Sequence, residues 1–343
     1  MGAIIGGLRR LAAAVLLGML LAYAGMGYAD AHTELQWLKE GSYATYALLE
    51  PEGGPREVKD LYMFTLYPER LPREVMNRLM GYLSSDSPWI KDGFPFIIGD
   101  CTEVFLRFDV LEVRGETALI NVSVTFVNAT LEGDYRKIIP NLTIWKVLNL
   151  NLSDMTYYDN GTPVGKATLF IDPSDPPKPG EILFSLEGLS RGINVSVGNV
   201  TYSAYGNSTV LTYYRPFRPP RIGITTRRFD FSDAGKNWSI SGGGREEYTY
   251  DFLTGVMIAG TFSHSTELMA LGVFSIDSMD RRIRGKSEEG VWPDGIKLYD
   301  TNIAFPDEGN SSSPDSPWRY YMYSGILTLT ASLLARWWKD GHR

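Results

Sequence analysis

Apolar and polar residues alternate along most of this chain. Within residues 119–127, Ile120, Val122, Val124 and Phe126 alternate with polar side chains, as they do in a strand with one buried face. Similar segments recur from residue 42 to residue 299, and short Gly- and Asn-containing turns join them. The pattern predicts a mainly β protein built from antiparallel strands.

Two arrangements of these strands fit the sequence. We expect either one large curved antiparallel sheet or two stacked β-sandwich halves, with one short helix at residues 72–83, where a proline occupies the first turn. The proline-rich segment 172–180 separates an N-terminal β region, 34–171, from a C-terminal β region, 181–303. This segment is either a domain linker or a long loop that crosses one continuous sheet.

Three glycine-containing sequences predict connections between strands. Gly198 and Asn199 are typical of a two-residue hairpin turn, and the run that starts at Gly242 is expected to link two strands. At the third, Asp251 is expected to cap a turn in which Gly255 takes a positive φ.

The two ends of the chain predict membrane targeting. Residues 1–31 have the basic, apolar and small-residue order of a signal peptide, with a retained N-terminal anchor as the alternative. We expect residues 304–319 to form a Ser/Pro stalk, 320–338 a transmembrane helix that is uncharged up to residue 335 and has aromatic residues at both edges, and 339–343 a basic cytoplasmic tail. An amphipathic or core helix is the alternative for 320–338. The prediction is a cell-membrane protein with an extracellular body.

Ten of the thirteen asparagines begin an Asn-x-Ser/Thr sequon, which supports exposure outside the cytoplasm unless the excess is coincidental. The predicted glycosylation sites are Asn121, Asn128, Asn141, Asn151, Asn160, Asn194, Asn199, Asn207, Asn237 and Asn310.

Net charge bears on the partners of the protein. The net charge of the whole chain is −7. The first 32 residues carry +1 and residues 320–343 carry +2, so the body between them carries −10. An acidic body gives no support to nucleic-acid binding. A local basic strip is a candidate site for an anionic glycan or a neighbouring cell-envelope protein, unless its arginines pair with the surplus carboxylates. The strip consists of Arg215, Arg218, Arg221, Arg227 and Arg228.

The chain offers little catalytic chemistry. Cys101 is the only cysteine, and His264, which we expect in an exposed loop, is the only histidine away from the ends. Asp172, Asp175 and Glu181 could bind Ca²⁺, but their spacing matches no cation loop. We therefore expect no catalytic, cofactor or metal site. A carboxylate pair for glycoside hydrolysis stays open, because such pairs meet only in the folded chain.

Three stretches carry a resemblance to a known group of proteins. Segments 37–46, 250–257 and 296–303 occur in an order that resembles uncharacterised archaeal secreted proteins, which are β-rich, carry a C-terminal membrane anchor and have no assigned function. The second segment alone is also similar to the Asp-x-x-Thr-Gly turn of lipoprotein-carrier half-barrels, which hold acyl chains against a curved sheet.

These observations together predict a membrane-anchored glycoprotein of the cell surface that acts as a non-enzymatic structural or interaction module. A carrier of an apolar, lipid-like ligand is the alternative, and a glycan-active enzyme is the second. An empty groove lined by Phe, Leu and Tyr would favour the carrier, whereas a filled core would favour the interaction module.

Overall fold

The computed structural model describes residues 35–49, 64–84, 87, 94–99, 101–132, 137–186, 192–203, 209–235, 239–260, 264–275 and 295–306. The predicted signal peptide, transmembrane helix and cytoplasmic tail, most of the predicted stalk, and the sequons at Asn207, Asn237 and Asn310 lie outside these residues. Within them, no helix has both the length and the apolar character needed to cross a membrane.

The described chain is mainly β, as predicted. Its strands are β1 (Tyr43–Leu49), β2 (Phe64–Leu66), β3 (Phe96–Gly99), β4 (Glu103–Arg114), β5 (Thr117–Glu132), β6 (Lys137–Asn151), β7 (Thr156–Asp159), β8 (Thr162–Lys166), β9 (Ile182–Leu186), β10 (Ile193–Ser203), β11 (Val210–Leu211), β12 (Pro216–Phe217), β13 (Arg221–Thr226), β14 (Phe229–Ala234), β15 (Ser239–Gly244), β16 (Glu247–Asp251), β17 (Met257–Gly260), β18 (Val273–Ser275) and β19 (Ile296–Thr301). The helices are a 3₁₀ turn (Pro68–Arg70), α1 (Arg73–Met80) and α2 (Thr266–Ala270).

One large antiparallel sheet organises the molecule. Its order is β18-β2-β3-β5-β4-β1-β19-β17-β16-β13-β10-β9-β8-β7-β6, and β6 pairs in turn with β5. Twelve strands, from β5 round to β6, therefore form a closed barrel, while β3, β2 and β18 extend from it as a flap. Strands from both sides of segment 172–180 take part in this single sheet, so the strands do not form two stacked halves. Closure leaves less exposed sheet edge than an open sheet of the same strands would present.

The strand register defines two ends of the barrel. Ala44, at the start of β1, pairs with Thr301, at the end of β19, so residues 35–41 and 302–306 lie at the same end, here called the entry end. Arg221 pairs with Asp251 at that end, and β13 and β16 extend from this pair toward the opposite, far end. The chain thus enters and leaves the barrel on one side.

The interior of the barrel is filled. A twelve-stranded barrel is wider than side chains alone can fill, and residues 167–171, here called the crossing segment, occupy it in an almost fully buried course. Tyr46 of β1 donates a hydrogen bond to the Leu169 carbonyl, and Tyr250 of β16 donates one to the Thr168 carbonyl. The segment is therefore held from two different strands of the barrel wall. The Phe170 ring lies 5.3 Å from Trp37 and 5.0 Å from Phe108, measured between centroids.

Local predictions made from alternation and from the helical pattern are confirmed. Ile120, Val122, Val124 and Phe126 of β5 are fully buried, so the register of that strand is the predicted one. Helix α1 is present at the predicted place, but Pro72 is its N-cap and the helix ends at Met80, before the predicted end at residue 83.

Two glycine predictions are wrong. Gly198 and Asn199 lie within continuous β10, at a bulge where a side chain at position 198 would come within 2.9 Å of the Thr226 backbone. The Gly242 run is strand β15 itself. A Cβ at Gly242 would lie 2.8 Å from the Phe231 ring, so glycine there makes room for an aromatic side chain of the paired strand.

Candidate interaction surface

The structure separates the five predicted arginines. Arg221 is buried at the start of β13, and Arg215 is partly buried with its guanidinium 4.6 Å from the Phe217 ring and 5.4 Å from the Phe305 ring. Arg218 is exposed near these two at the entry end, whereas Arg227 and Arg228 are exposed beyond the other end of β13. A six-residue strand spans about 20 Å. The five residues therefore do not form one strip.

A different group of three arginines does come together at the far end. Thr226 donates a backbone hydrogen bond to the Glu246 carbonyl, and three residues later Phe229 pairs with Gly244. Arg227 and Arg228, which connect β13 to β14, therefore lie opposite Arg245, which follows β15, and all three are exposed. We call them the arginine cluster. Arg245 directly follows the glycine run, and its position in the cluster follows from a bulge that the residue pattern does not reveal.

Acidic neighbours compensate this cluster only weakly. Arg228 Nη2 lies 3.5 Å from Asp230 Oδ1, and both side chains are more than 60% exposed. Exposed ion pairs of this kind contribute about 0–1 kcal/mol and are screened by salt. The arginine cluster can therefore exchange this contact for carboxylate, sulfate or phosphate groups of a partner, which guanidinium groups bind with paired hydrogen bonds.

A buried contact between a glutamate and a histidine supports the connections that carry the cluster. Glu246 Oε1 lies 2.9 Å from His264 Nδ1, and the two side chains are 3% and 1% exposed. The rings of Phe229 and Phe231 in β14 both meet the imidazole edge-on, at 5.3 Å between centroids. Because Arg228 and Arg245 adjoin residues of this buried group, their backbone positions are set by a packed layer.

The prediction that His264 is an exposed loop residue is wrong. The residue precedes α2, and its carbonyl accepts a hydrogen bond from the Tyr248 hydroxyl at 2.7 Å. The next residue, Ser265, caps α2 through its hydroxyl, which accepts from the Leu268 amide. All of α2 is buried, and this burial takes the preceding histidine into the interior. The polar sequence around His264 contains no periodic signal that predicts this.

The buried carboxylates of the barrel are committed to structure. Glu267 of α2 accepts hydrogen bonds from the Thr168 and Leu169 amides at 2.9 and 3.1 Å, and from the Thr168 hydroxyl. Burial raises its pKa above the usual value, although these hydrogen bonds oppose the shift. Asp251 accepts from the Thr254 amide and hydroxyl, both at 2.8 Å, and burial also raises its pKa. Neither group is presented to a cleft as a catalytic acid.

Two adjoining clefts lie at the entry end, with volumes of about 470 and 260 Å³. Both are lined by Leu152, Ser153, Met155 and Asp172. Their carboxylates are held by local partners: Asp172 accepts from the Ser174 amide and hydroxyl, and the other two acidic residues singled out as a candidate Ca²⁺ site each pair with a lysine. The described residues contain no group of His, Cys, Asp and Glu suited to a metal ion.

Seven of the sequon asparagines lie in the described part of the chain. Five of them are exposed, namely Asn128, Asn141, Asn160, Asn194 and Asn199. Asn121 and Asn151 are half-buried, and Asn151 accepts hydrogen bonds from both the amide and the hydroxyl of Ser153. The exposed sites lie along the outer wall and its turns, where a glycan could be attached without displacing the core.

Comparisons with known proteins gave no match: no family model, curated protein or solved structure is similar to this chain. The resemblance to archaeal secreted proteins stays a prediction.

Proposed function

We propose that this protein is a membrane-anchored glycoprotein of the cell surface that acts as a non-enzymatic interaction module. The arginine cluster contacts anionic groups of a neighbouring envelope component, either a glycan or a protein. One observation carries the proposal: the cluster lies at the far end of the barrel, whereas the chain enters and leaves at the entry end. A chain anchored through residues 320–338 would therefore present the arginines away from its membrane.

The filled interior supports this proposal over a carrier of an apolar ligand. Tyr46, Tyr157, Phe108 and Phe170 occupy the centre of the barrel and are fully buried. A carrier needs an apolar cavity of several hundred Å³ with few polar groups. The described clefts instead carry carboxylates and lysines that pair with each other.

Binding to a polyanion tests the proposal. Arg227, Arg228 and Arg245 are replaced together by Ala, and retention of the folded body is measured on dextran sulfate and on isolated cell envelope over a range of salt concentrations. We expect the wild type to be retained at low salt, because the Debye length is then long, and the variant to elute earlier. Neutral dextran should retain neither protein.

The matched control removes the same charge elsewhere. Lys39, Arg114 and Arg218 are exposed near the entry end, and their replacement by Ala leaves the net charge equal to that of the cluster variant. Equal loss of retention in both variants would show a general charge effect and overturn the proposed site. Saturable binding of a fluorescent fatty acid by delipidated protein would instead favour the carrier.

A further inference from the structure

Two large apolar side chains lie side by side on the outer wall of the barrel. Trp145 of β6 is 56% exposed and Val147 is 38% exposed, whereas their strand neighbours Ile144 and Leu148 are fully buried. Single exposed apolar residues are common on soluble proteins, so the feature to be explained is that these two are adjacent on one face of the strand.

A glycosylation sequon lies directly opposite this pair. In the β5–β6 register, Asn121 pairs with Val147 and Ser123 pairs with Trp145. The sequon Asn121-Val122-Ser123 thus faces both apolar side chains with its first and last residues. Directly opposed Cβ atoms are about 5 Å apart and diagonal ones about 7 to 8 Å. An indole at that distance can be reached by the first sugar rings of a glycan attached to Asn121.

The other side of Asn121 is already occupied. On β4, Arg107 Nε donates to Asp109 Oδ1 at 2.9 Å, and the same guanidinium stacks 3.9 Å from the Tyr43 ring. The Asn121 side chain makes only a long contact of 3.5 Å with Asp109, and its Oδ1 atom is buried without a hydrogen-bond partner. Nδ2 itself donates this long contact toward β4, so a sugar on Nδ2 replaces its other hydrogen. The strand on the opposite side of Asn121 is β6, which carries Val147 and Trp145.

We infer that the first sugar residues of a glycan on Asn121 pack against Trp145 and Val147, so that this pair is a built-in carbohydrate contact. The C–H-bearing face of a pyranose ring fits an indole face, and its hydroxyl rim stays in water. The inference rests on the proposed glycosylation of the body. It assigns a partner to the exposed Trp145, which the arginine cluster at the far end does not explain.

A second sequon on the same wall could supply the same chemistry. Asn141 precedes Trp145 by four residues on β6, which is about 13 Å along a strand. The shorter path and the occupied β4 side favour Asn121. The experiment therefore removes each glycan separately.

Hydroxyl-radical footprinting of glycosylated protein tests the inference at the residue itself. Ser123→Ala removes the sequon while keeping Asn121, and Asn141→Gln removes the alternative source. We expect oxidation of the peptide that contains Trp145 to rise severalfold in Ser123→Ala and to stay at the wild-type level in Asn141→Gln. Enzymatic removal of glycans from the folded wild type should reproduce the rise. This measurement tests the inference even if the Ser123→Ala variant fails to fold.

Thermal unfolding gives an independent readout. Trp145→Ala should lower the Tm of the glycosylated protein by about 2 to 4 °C more than it lowers the Tm of glycan-free protein, as expected for the loss of a modest contact in a domain of this size. If glycopeptide mass spectrometry found Asn121 unmodified, both the proposed glycosylation of this residue and the inferred glycan contact would be overturned. An occupied Asn121 with unchanged Trp145 oxidation, or a rise only in Asn141→Gln, would overturn the inference and leave the proposed glycosylation standing.

Discussion

The carboxylate of Glu267 joins α2 to the crossing segment inside the barrel. Its partners are two backbone amides and one hydroxyl, and the surrounding aromatic groups include Tyr46 and Tyr250. The side chain thus accepts hydrogen bonds from two amide groups that would otherwise have no partner in an apolar interior. Burial raises its pKa, so the folded state holds this proton more tightly than the unfolded state does.

This pKa shift predicts a pH dependence of stability. Because the unfolded chain releases the proton near the ordinary value of 4.5 and the folded chain releases it at higher pH, the free energy of unfolding should fall as pH rises above about 4.5. It should level off once the folded carboxyl has also ionised. Glu267→Gln, which keeps an acceptor for the two amides, should flatten this part of the profile.

Urea unfolding at intervals between about pH 4.5 and 8 measures the effect. Asp109→Asn serves as a surface control, since Asp109 is partly exposed on the outer wall. A Glu267→Gln variant that retained the full wild-type slope would contradict the assignment of the slope to this carboxyl.

The β16–β17 turn shows how the sequence determines a single element. Asp251 caps it through the Leu253 and Thr254 amides, and Gly255 has a φ of +69°, both as predicted. A Cβ at Gly255 would lie 2.1 Å from the Ile171 carbonyl oxygen. The glycine therefore serves the local turn and also the close approach of the crossing segment.

These two demands on glycine can be separated by substitution. Gly115, in the β4–β5 turn, has a φ of +56° and open space around its Cβ position. Gly115→Ala should cost about 1–2 kcal/mol, the price of the left-handed backbone alone. Gly255→Ala should cost clearly more, because the crossing segment must also move. Denaturant unfolding measures which substitution lowers the free energy of unfolding more. Equal losses would mean that the crossing segment can move away from residue 255 without an energetic cost.

One barrel strand keeps a partly open edge, and its residues protect it. Within the described residues, β6 pairs with β7 only over Asn149–Asn151. Earlier in the strand, Pro140 lacks an amide donor, Arg78 donates to the Asn141 carbonyl at 2.6 Å, and Lys146 pairs with Asp159 at 2.9 Å. Proline, inward charge and a capped carbonyl are the features that discourage pairing with another chain.

At the scale of the whole molecule, the two ends of the barrel have different surroundings. The entry end carries both chain exits and the clefts, and the far end carries the arginine cluster. If residues 320–338 span a membrane, the entry end faces it and the far end faces outward.

Fractionation tests the anchor on which this orientation depends. The full chain should sediment with membranes, because residues 320–338 supply about the length and apolar character that a bilayer requires. A chain that ends at Asn310 should appear in the soluble fraction, since every described strand lies before that position. Release of both chains into the soluble fraction would contradict the anchor.

Much of this architecture, but not all of it, could be read from the residue pattern. The face of β5, the presence of helix α1 and the β16–β17 turn depend on neighbours in sequence, and these predictions are confirmed, although α1 is shorter than predicted. Barrel closure and the arginine cluster depend on pairings between distant strands, and no local period encodes them. The burial of His264 escaped prediction for the same reason, because its partner Glu246 lies 18 positions earlier, between β15 and β16.

The pairing of β1 with β19 also determines how late in synthesis the barrel can close. Tyr43 and Asp300, which share a hydrogen bond across this pair, are separated by 257 positions. At synthesis rates of about 5–20 residues per second, the first strand waits on the order of tens of seconds for its last neighbour. During that interval β1 lacks its β19 partner and has an unpaired edge. We therefore expect the unfinished chain to need protection from aggregation until residue 301 has been synthesised.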